Sequence, residues 1–351
     1  MALAAYPVGI AELESRVSAN LPAPPSFEDI VAAAQRLAGC AVRTPLVENQ
    51  RVNDRLGGRL LLKAECLQVT GSFKFRGGFN FLSRLDEAQR RAGVVAWSSG
   101  NHAQGVAEAA RLLGIKATIV MPADAPAIKV ANTRASGAEV VSYDRLKESR
   151  EQIGAAIAAR TGATIVPPYD HAWTMAGQGT IGLELVAQSA ECGARLDSVL
   201  APCSGGGMIG GVAIAVRALS PQTKAYSAEP ASFDDMARSI AAGKPQSNAA
   251  LSGSFCDALL APTPGIIPFL VAQRELAGGV SASDDEVAQA MELAFREYKL
   301  VLEPGGAVAL ACVLAGRVET KGRTITVVCS GGNVDGETFA AALQTARRLA
   351  A

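Results

Sequence analysis

Histidine is nearly missing from this chain. Its 351 residues include two, too few for a histidine-based metal centre. An excess of one charge is missing as well. Lys+Arg and Asp+Glu both number 33, so no net field recruits nucleic acid or an acidic membrane surface. Basic clusters interleaved with aromatics, the footprint of a nucleic-acid binder, are absent. No apolar run reaches the roughly 18 residues that cross a bilayer, so no transmembrane helix is expected. The stretch Met1 to Glu12 lacks the charged start and apolar run of a secretory leader. The seven cysteines are odd in number and never form Cys-x-x-Cys. That fits a reducing cytoplasm better than a disulfide framework or a zinc site.

What is present is a large apolar fraction, 49%, enough to bury a sizeable core. The length implies two domains or one large α/β unit. Residues 1–25 read as a short arm, with helical character around Ile10–Ser18. Helical spacing of apolar residues runs from Asp29 to Ala38, and Arg59–Ala64 reads as a strand. A repeating pattern follows: short apolar strand, small-residue loop, amphipathic helix. Strands are expected at Val94–Trp97, Ala117–Met121, Glu139–Tyr143, Thr164–Val166, Ser198–Ala201, Thr223–Ala228 and Thr324–Cys329. Helices are expected at Ala103–Leu113, Ile128–Ser136 and Glu148–Thr161. This alternation implies a mostly parallel sheet covered on both faces. Pro167-Pro168 and Pro262–Pro268 read as boundaries or loops.

Chemistry is concentrated in four short stretches. Thr70-Gly-Ser-Phe-Lys-Phe-Arg-Gly-Gly78 sets Lys74 between two phenylalanines. An amine held against apolar neighbours is pushed toward its neutral, nucleophilic form, the state that forms a Schiff base with an aldehyde. An ordinary exposed loop lysine is the competing reading. Three strand-to-helix turns accompany it: Ser98-Ser-Gly-Asn-His102, Ser204-Gly-Gly-Gly-Met208 and Ser330-Gly-Gly-Asn333. Such turns lie at the carboxyl ends of parallel strands, where ligands bind. Glycines let backbone amides approach a phosphate at the start of the next helix. Neither the P-loop nor the full dinucleotide fingerprint is matched.

Together these motifs resemble the fold type II pyridoxal-phosphate enzymes, most closely the branch of serine/threonine dehydratases, hydroxyaspartate dehydratase-like enzymes and serine racemases. The resemblance covers roughly residues 30–340, with the motifs in order. It implies a tryptophan synthase β-like α/β fold of two open parallel-sheet domains, with pyridoxal 5'-phosphate in the cleft between them. Residues 1–83 and 169–351 would form the large domain and 84–168 a small mobile one. A homodimer is typical of the family.

The resemblance also implies roles. Lys74 matches the lysine that holds the cofactor and moves the Cα proton, with Phe73 packed beside the cofactor. Asn101 matches the side chain bonded to the ring hydroxyl; a helix cap competes with this reading. Ser204, Gly205, Gly206, Gly207 and Met208 match the phosphate cradle. Ser330 matches the residue facing the pyridine nitrogen, where a hydroxyl weakens the electron sink and favours prompt loss of a β leaving group. Its bland alternative is a cap of the final helix. Ser99 matches the hydroxyl opposite the lysine, the second acid/base of racemases. It would alternatively bind the substrate carboxylate with Ser98, Asn101 and His102. Glu303 matches a position near the ring, against the simple start of a helix. Glu229, Phe233 through its carbonyl, and Asp235 match a divalent-cation loop suited to Mg2+, Mn2+ or Ca2+; an acidic surface turn is the alternative. Arg150 aligns with an arginine that contacts carboxylate ligands, against a helix arginine paired with Glu151 or Glu148. Arg76 reads as a brace for the lysine turn.

The expected activity is β-elimination of water from a 3-hydroxy amino acid, giving a 2-oxo acid and ammonia. Candidate substrates are 3-hydroxyaspartate, serine, threonine or a 3-aryl serine, and Arg150 favours the dicarboxylate. Rivals are an amino-acid racemase, a β-replacement synthase and a non-catalytic cofactor-binding protein.

Overall fold

The computed structural model describes residues 23–98, 100–125 and 127–350. The expected helix around Ile10–Ser18 lies outside them. Two sheets organise the chain. The larger has the order β1-β2-β10-β7-β8-β9. Its strands are β1 (Leu46–Glu48), β2 (Arg59–Lys63), β7 (Ser198–Pro202), β8 (Lys224–Pro230), β9 (Leu276–Ala282) and β10 (Thr324–Val328). β1 pairs antiparallel with β2, and the remaining pairs are parallel. The smaller sheet, in the order β5-β4-β3-β6, is parallel throughout. It holds β3 (Val94–Trp97), β4 (Ala117–Pro122), β5 (Glu139–Tyr143) and β6 (Thr164–Ile165).

Both sheets are covered on both faces, as uninterrupted apolar strands require. Successive side chains of a strand point to opposite sides. Leu60 and Leu62 therefore join the core that contains Val308 and Leu310 of the Pro304–Leu314 helix. Leu61 joins Ile209 and Val212 of the Gly207–Leu219 helix on the other side. In the smaller sheet Val94 and Ala96 pack with Val106 of the Asn101–Leu113 helix. Val95 packs with Ile153 and Ile157 of the Arg150–Thr161 helix.

The expected strands and helices are present with ends shifted by a few residues. Three elements differ. The lysine stretch is the first turn of a helix, Lys74–Ser83. The proline-bearing stretch 262–268 gives way to a helix at Ile266–Glu275. A 20-residue helix, Ala172–Glu191, follows the paired prolines. Because all strands of the smaller sheet and most of the larger run parallel, the turns after β3, β7 and β10 gather at one cleft.

Candidate active site

Lys74, Ser98, Asn101, Ser204–Met208, Glu303 and Ser330 all line this cleft. Lys74 Nζ donates to the Pro168 carbonyl at 2.8 Å and lies 5.2 Å from the centroid of the Phe73 ring. Burial pushes the amine down to about 8, partly opposed by the charge of Glu303. Phe75, the other flanking aromatic, faces the core and is fully buried. The lysine turn is anchored behind the cleft by Arg76, which is 1% exposed. Arg76 forks onto Glu65 at 2.8 Å from both Nε and Nη2, and onto Glu184 at 2.7 and 2.9 Å. Lys63 Nζ joins Glu184 at 2.6 Å. Two buried cations thus meet two carboxylates, the condition for burying such charges.

The turn after β7 is built for close approach. Gly206 has φ of +92°, a conformation that favours glycine. A Cβ on Gly205 would stand 2.3 Å from the Tyr169 ring. The Gly207–Leu219 helix starts here without a side-chain cap, leaving its first amides to face a ligand. Ser204 Oγ accepts from Ala261 N at 3.2 Å, so its hydrogen remains to be donated. Met208 is buried and belongs to the core beneath the turn. A cradle of amides, a desolvated amine and a hydroxyl donor fit the phosphate and aldehyde of pyridoxal phosphate.

Asn101 does not cap its helix: Gly100 holds that position, without a side-chain cap. Asn101 Nδ2 instead donates to Glu303 Oε1 at 2.5 Å, and its Oδ1 accepts from Asn333 Nδ2 at 2.8 Å. Glu303 precedes the Pro304–Leu314 helix without a side-chain capping bond. Burial pushes its carboxyl up to about 7, against the Asn101 bond and the charges of Lys129 and Lys74. Ser330 is 4% exposed. Its carbonyl accepts from Phe73 N at 3.0 Å, which ties the end of β10 to the lysine turn. The final helix begins at Gly336, so Ser330 does not cap it. Ser98 Oγ accepts from Gly100 N at 3.1 Å. His102 is buried, and Nε2 lies 3.0 Å from the Val166 carbonyl, which requires Nε2 to carry the hydrogen. Burial, then the charge of Lys74, hold its pKa down at about 3, so the imidazole is neutral. Ser99 lies outside the described residues.

Arg150 lines the cleft and also pairs with Glu151, Nε to Oε1 at 2.8 Å. The pair with Glu151 is the alternative reading of this arginine, and its place on the cleft wall puts it within the same cavity as Lys74. Among the described residues, no group of three or more His, Cys, Asp or Glu side chains is placed to hold a metal ion. Glu229 spends its oxygens on the amides of Met236 and Ala237, each at 2.8 Å. Burial, then the neighbouring Asp235, push its pKa well up. Asp235 Oδ1 accepts from Asn248 at 2.7 Å, while Oδ2 is buried without a partner. Phe233 is buried as well. These are buried groups, not the acidic surface turn that was the alternative.

Sequence reasoning missed several lining residues: Trp97, Lys129, Tyr169, Gln178 and Asp257. Tyr169 follows the paired prolines, a usable signal; Lys129 sits in an unremarkable helix and gave none. All seven cysteines are free thiols. No described helix is long and apolar enough to cross a membrane.

Comparisons with known proteins agree with this geometry. An L-threo-3-hydroxyaspartate ammonia-lyase from Pseudomonas sp. is 44% identical, covering 91% of this chain and 98% of the relative. A serine racemase from Schizosaccharomyces pombe is 37% identical, covering 90% and 96%. The crystal structure of a threonine deaminase from T.th. superposes with a TM-score of 0.83 at 42% identity, covering 89% and 99%. The family profile described as pyridoxal-phosphate dependent enzyme matches residues 37–331. With the cradle, the depressed lysine and the order of the turns accounted for, the chain belongs to the pyridoxal-phosphate dependent enzymes, and its fold is that of their fold type II members.

Proposed function

We propose that the protein is a dehydratase that eliminates water from a 3-hydroxy amino acid, with 3-hydroxyaspartate as the favoured substrate. The observation that carries the reading is Lys74, an amine held near a pKa of 8 in a cleft that also presents an arginine. The 44% identity to an L-threo-3-hydroxyaspartate ammonia-lyase supports the substrate. Lys74 and the 204–208 turn would hold the cofactor, with Phe73, Asn101, Glu303 and Ser330 around its ring. Bound pyridoxal phosphate supplies the electron sink that makes the substrate Cα proton acidic. Ser98, Ser99 and Asn101 orient the α-carboxylate; His102, expected to join them, gives its one ring hydrogen to the Val166 carbonyl and supports the turn from behind. Neutral Lys74 takes the Cα proton and passes it to the departing hydroxyl. The Cα–H and Cβ–O bonds break, water leaves, and the unsaturated product hydrolyses to a 2-oxo acid and ammonia. Ser330 offers a hydroxyl where a carboxylate would strengthen the sink, which favours prompt elimination over a long-lived carbanion.

Residues 84–168 act in this reading as a small domain closing on a large one formed by 1–83 and 169–351, in a homodimer. Arg150 holds the side-chain carboxylate through a planar fork. Arg150→Ala should lower kcat/KM for hydroxyaspartate tenfold or more relative to that for threonine. Equal losses for both would remove the dicarboxylate argument. Racemisation is the second reading, favoured by the 37% identical serine racemase. D-serine formation from L-serine that is lost in Ser99→Ala, while dehydration persists, would establish it.

The proposal extends to a divalent cation taken up by Asp235 Oδ2, with Glu229 and the Phe233 carbonyl beside it, balancing the buried charge. Burial raises Asp235 to about 6, above its unfolded value. Its ionisation therefore costs stability as pH rises through about 6, and a cation offsets that cost. Magnesium should raise Tm at pH 7.5 and lose most of that effect at pH 5. A Tm indifferent to magnesium at pH 7.5 sinks this part of the reading.

A further inference from the structure

Among the described residues, the cleft has two side-chain cations besides Lys74, namely Arg150 and Lys129. Their origin in the sheet is orderly. The Ser98–Asn101 turn follows β3, Lys129 lies in the Ala127–Ala135 helix after β4, and Arg150 starts the helix after β5. β3, β4 and β5 are adjacent parallel strands. The sheet therefore delivers the carboxylate-orienting turn, then Lys129, then Arg150, in a row along one edge of the cleft. Lys129 Nζ lies 3.6 Å from the point where a Cβ on Gly100 would stand, so the ammonium rests against that turn. Gly100, lacking a side chain, leaves the space between them open.

Lys129 is poorly satisfied for a charge so withdrawn from water. Its side chain is 14% exposed, and its ion-pair partner is Asp257, with Nζ 3.5 Å from Oδ2. That is a long contact, to a carboxylate that is itself 62% exposed and free to turn toward solvent. Arg150, 46% exposed, is held more closely, at 2.8 Å, by Glu151, which is also exposed. Both cations are thus parked on carboxylates of the chain that water can stabilise when displaced. Such pairs are weak, whereas an incoming carboxylate enclosed in the cleft gains from the lower local dielectric.

We propose that Lys129 is a specificity-determining residue that, with Arg150, binds the substrate's side-chain carboxylate, Asp257 occupying the ammonium until that carboxylate arrives. The inference rests on the dicarboxylate reading of the substrate. It makes opposite demands on the two partners. Removing Lys129 removes a binding group, and removing Asp257 removes a competitor.

The test compares the ratio of kcat/KM for hydroxyaspartate to that for L-serine in cofactor-loaded wild type, Lys129→Gln, Lys129→Arg and Asp257→Asn. Tm and cofactor absorbance check the fold. The ratio should fall at least threefold in Lys129→Gln, mostly through KM for hydroxyaspartate. It should recover in Lys129→Arg and rise above wild type in Asp257→Asn. A purely structural latch would lower both substrates in parallel in Lys129→Gln and Asp257→Asn. A fall of less than threefold in Lys129→Gln, or a ratio that stays or falls in Asp257→Asn, overturns the proposal. Calorimetric binding of succinate against butanoate separates this inference from the substrate assignment. If wild type does not turn over hydroxyaspartate, the assignment fails, and the succinate preference in Lys129→Gln still decides the role of Lys129. Loss of the preference supports it, and a retained preference refutes it.

Discussion

Lys74 shows how far one side chain can be read from its neighbours in sequence. Two flanking phenylalanines marked an apolar setting, but they do unlike things. Phe73 lies under the amine at 5.2 Å, and Phe75 packs on Phe79 with ring centroids 5.5 Å apart. The depressed pKa comes from burial, set against the charge of Glu303, and the amine is fixed by the Pro168 carbonyl; no local window contains these surroundings. Lowering the folded pKa to about 8 makes the amine neutral above that pH instead of above 10. The rate at which cofactor-free enzyme captures pyridoxal phosphate should accordingly rise with pH through about 8 and then level. Borohydride trapping followed by mass spectrometry reads this rate, and a half-rise near 10 would contradict the desolvation argument. Asn101 was legible as a residue of the cleft but not as part of a chain running from Asn333 to Glu303, because its partners arrive from the far end of the sequence.

At the scale of elements, the strands of the smaller sheet were legible because each is a short apolar run bounded by turns. Leu276–Ala282 was not, since Leu-Ala-Gly-Gly-Val-Ser-Ala carries little β signal and sits at a sheet edge. The Ala172–Glu191 helix was hidden by its glycines, which ordinarily argue against a helix. Here they permit contact: a Cβ on Gly177 would stand 2.5 Å from the Arg76 carbonyl, and one on Gly179 2.8 Å from that of Gly211. Gly154 has the same purpose in the Arg150–Thr161 helix, where a Cβ would meet Trp97 Cε3 at 2.5 Å. Gly154→Ala should cost about 1–3 kcal/mol by overpacking and displace the helix that presents Arg150. Thermal denaturation should show a lower Tm, with a higher KM for hydroxyaspartate. An unchanged Tm would mean that the ring yields freely and that the close approach does not position the helix.

At the scale of the molecule, the repeated alternation of strand and helix foretold parallel sheets, and the order of four motifs foretold the cofactor. What could not be foretold is how the halves of the cleft meet. Pairing of Lys129 with Asp257, and packing of Tyr169 on the Gly205–Gly207 turn, join residues far apart in sequence by tertiary contact alone. The buried set of Lys63, Arg76, Glu65 and Glu184 was equally invisible, although Arg76 was marked as a brace; its charges balance only once β2 and two helices have assembled. The whole arrangement brings Lys74, Lys129 and Arg150 to one cleft, and the proposed function assigns the first to the proton and the other two to a second carboxylate. The most direct test is 2-oxo acid release by the cofactor-loaded enzyme across the four 3-hydroxyaspartate isomers, L- and D-serine, L-threonine and L-threo-phenylserine. The account expects a hydroxyaspartate isomer to give the highest kcat/KM. A monocarboxylate in first place would contradict it, leaving Arg150 as the partner of Glu151 and nothing more.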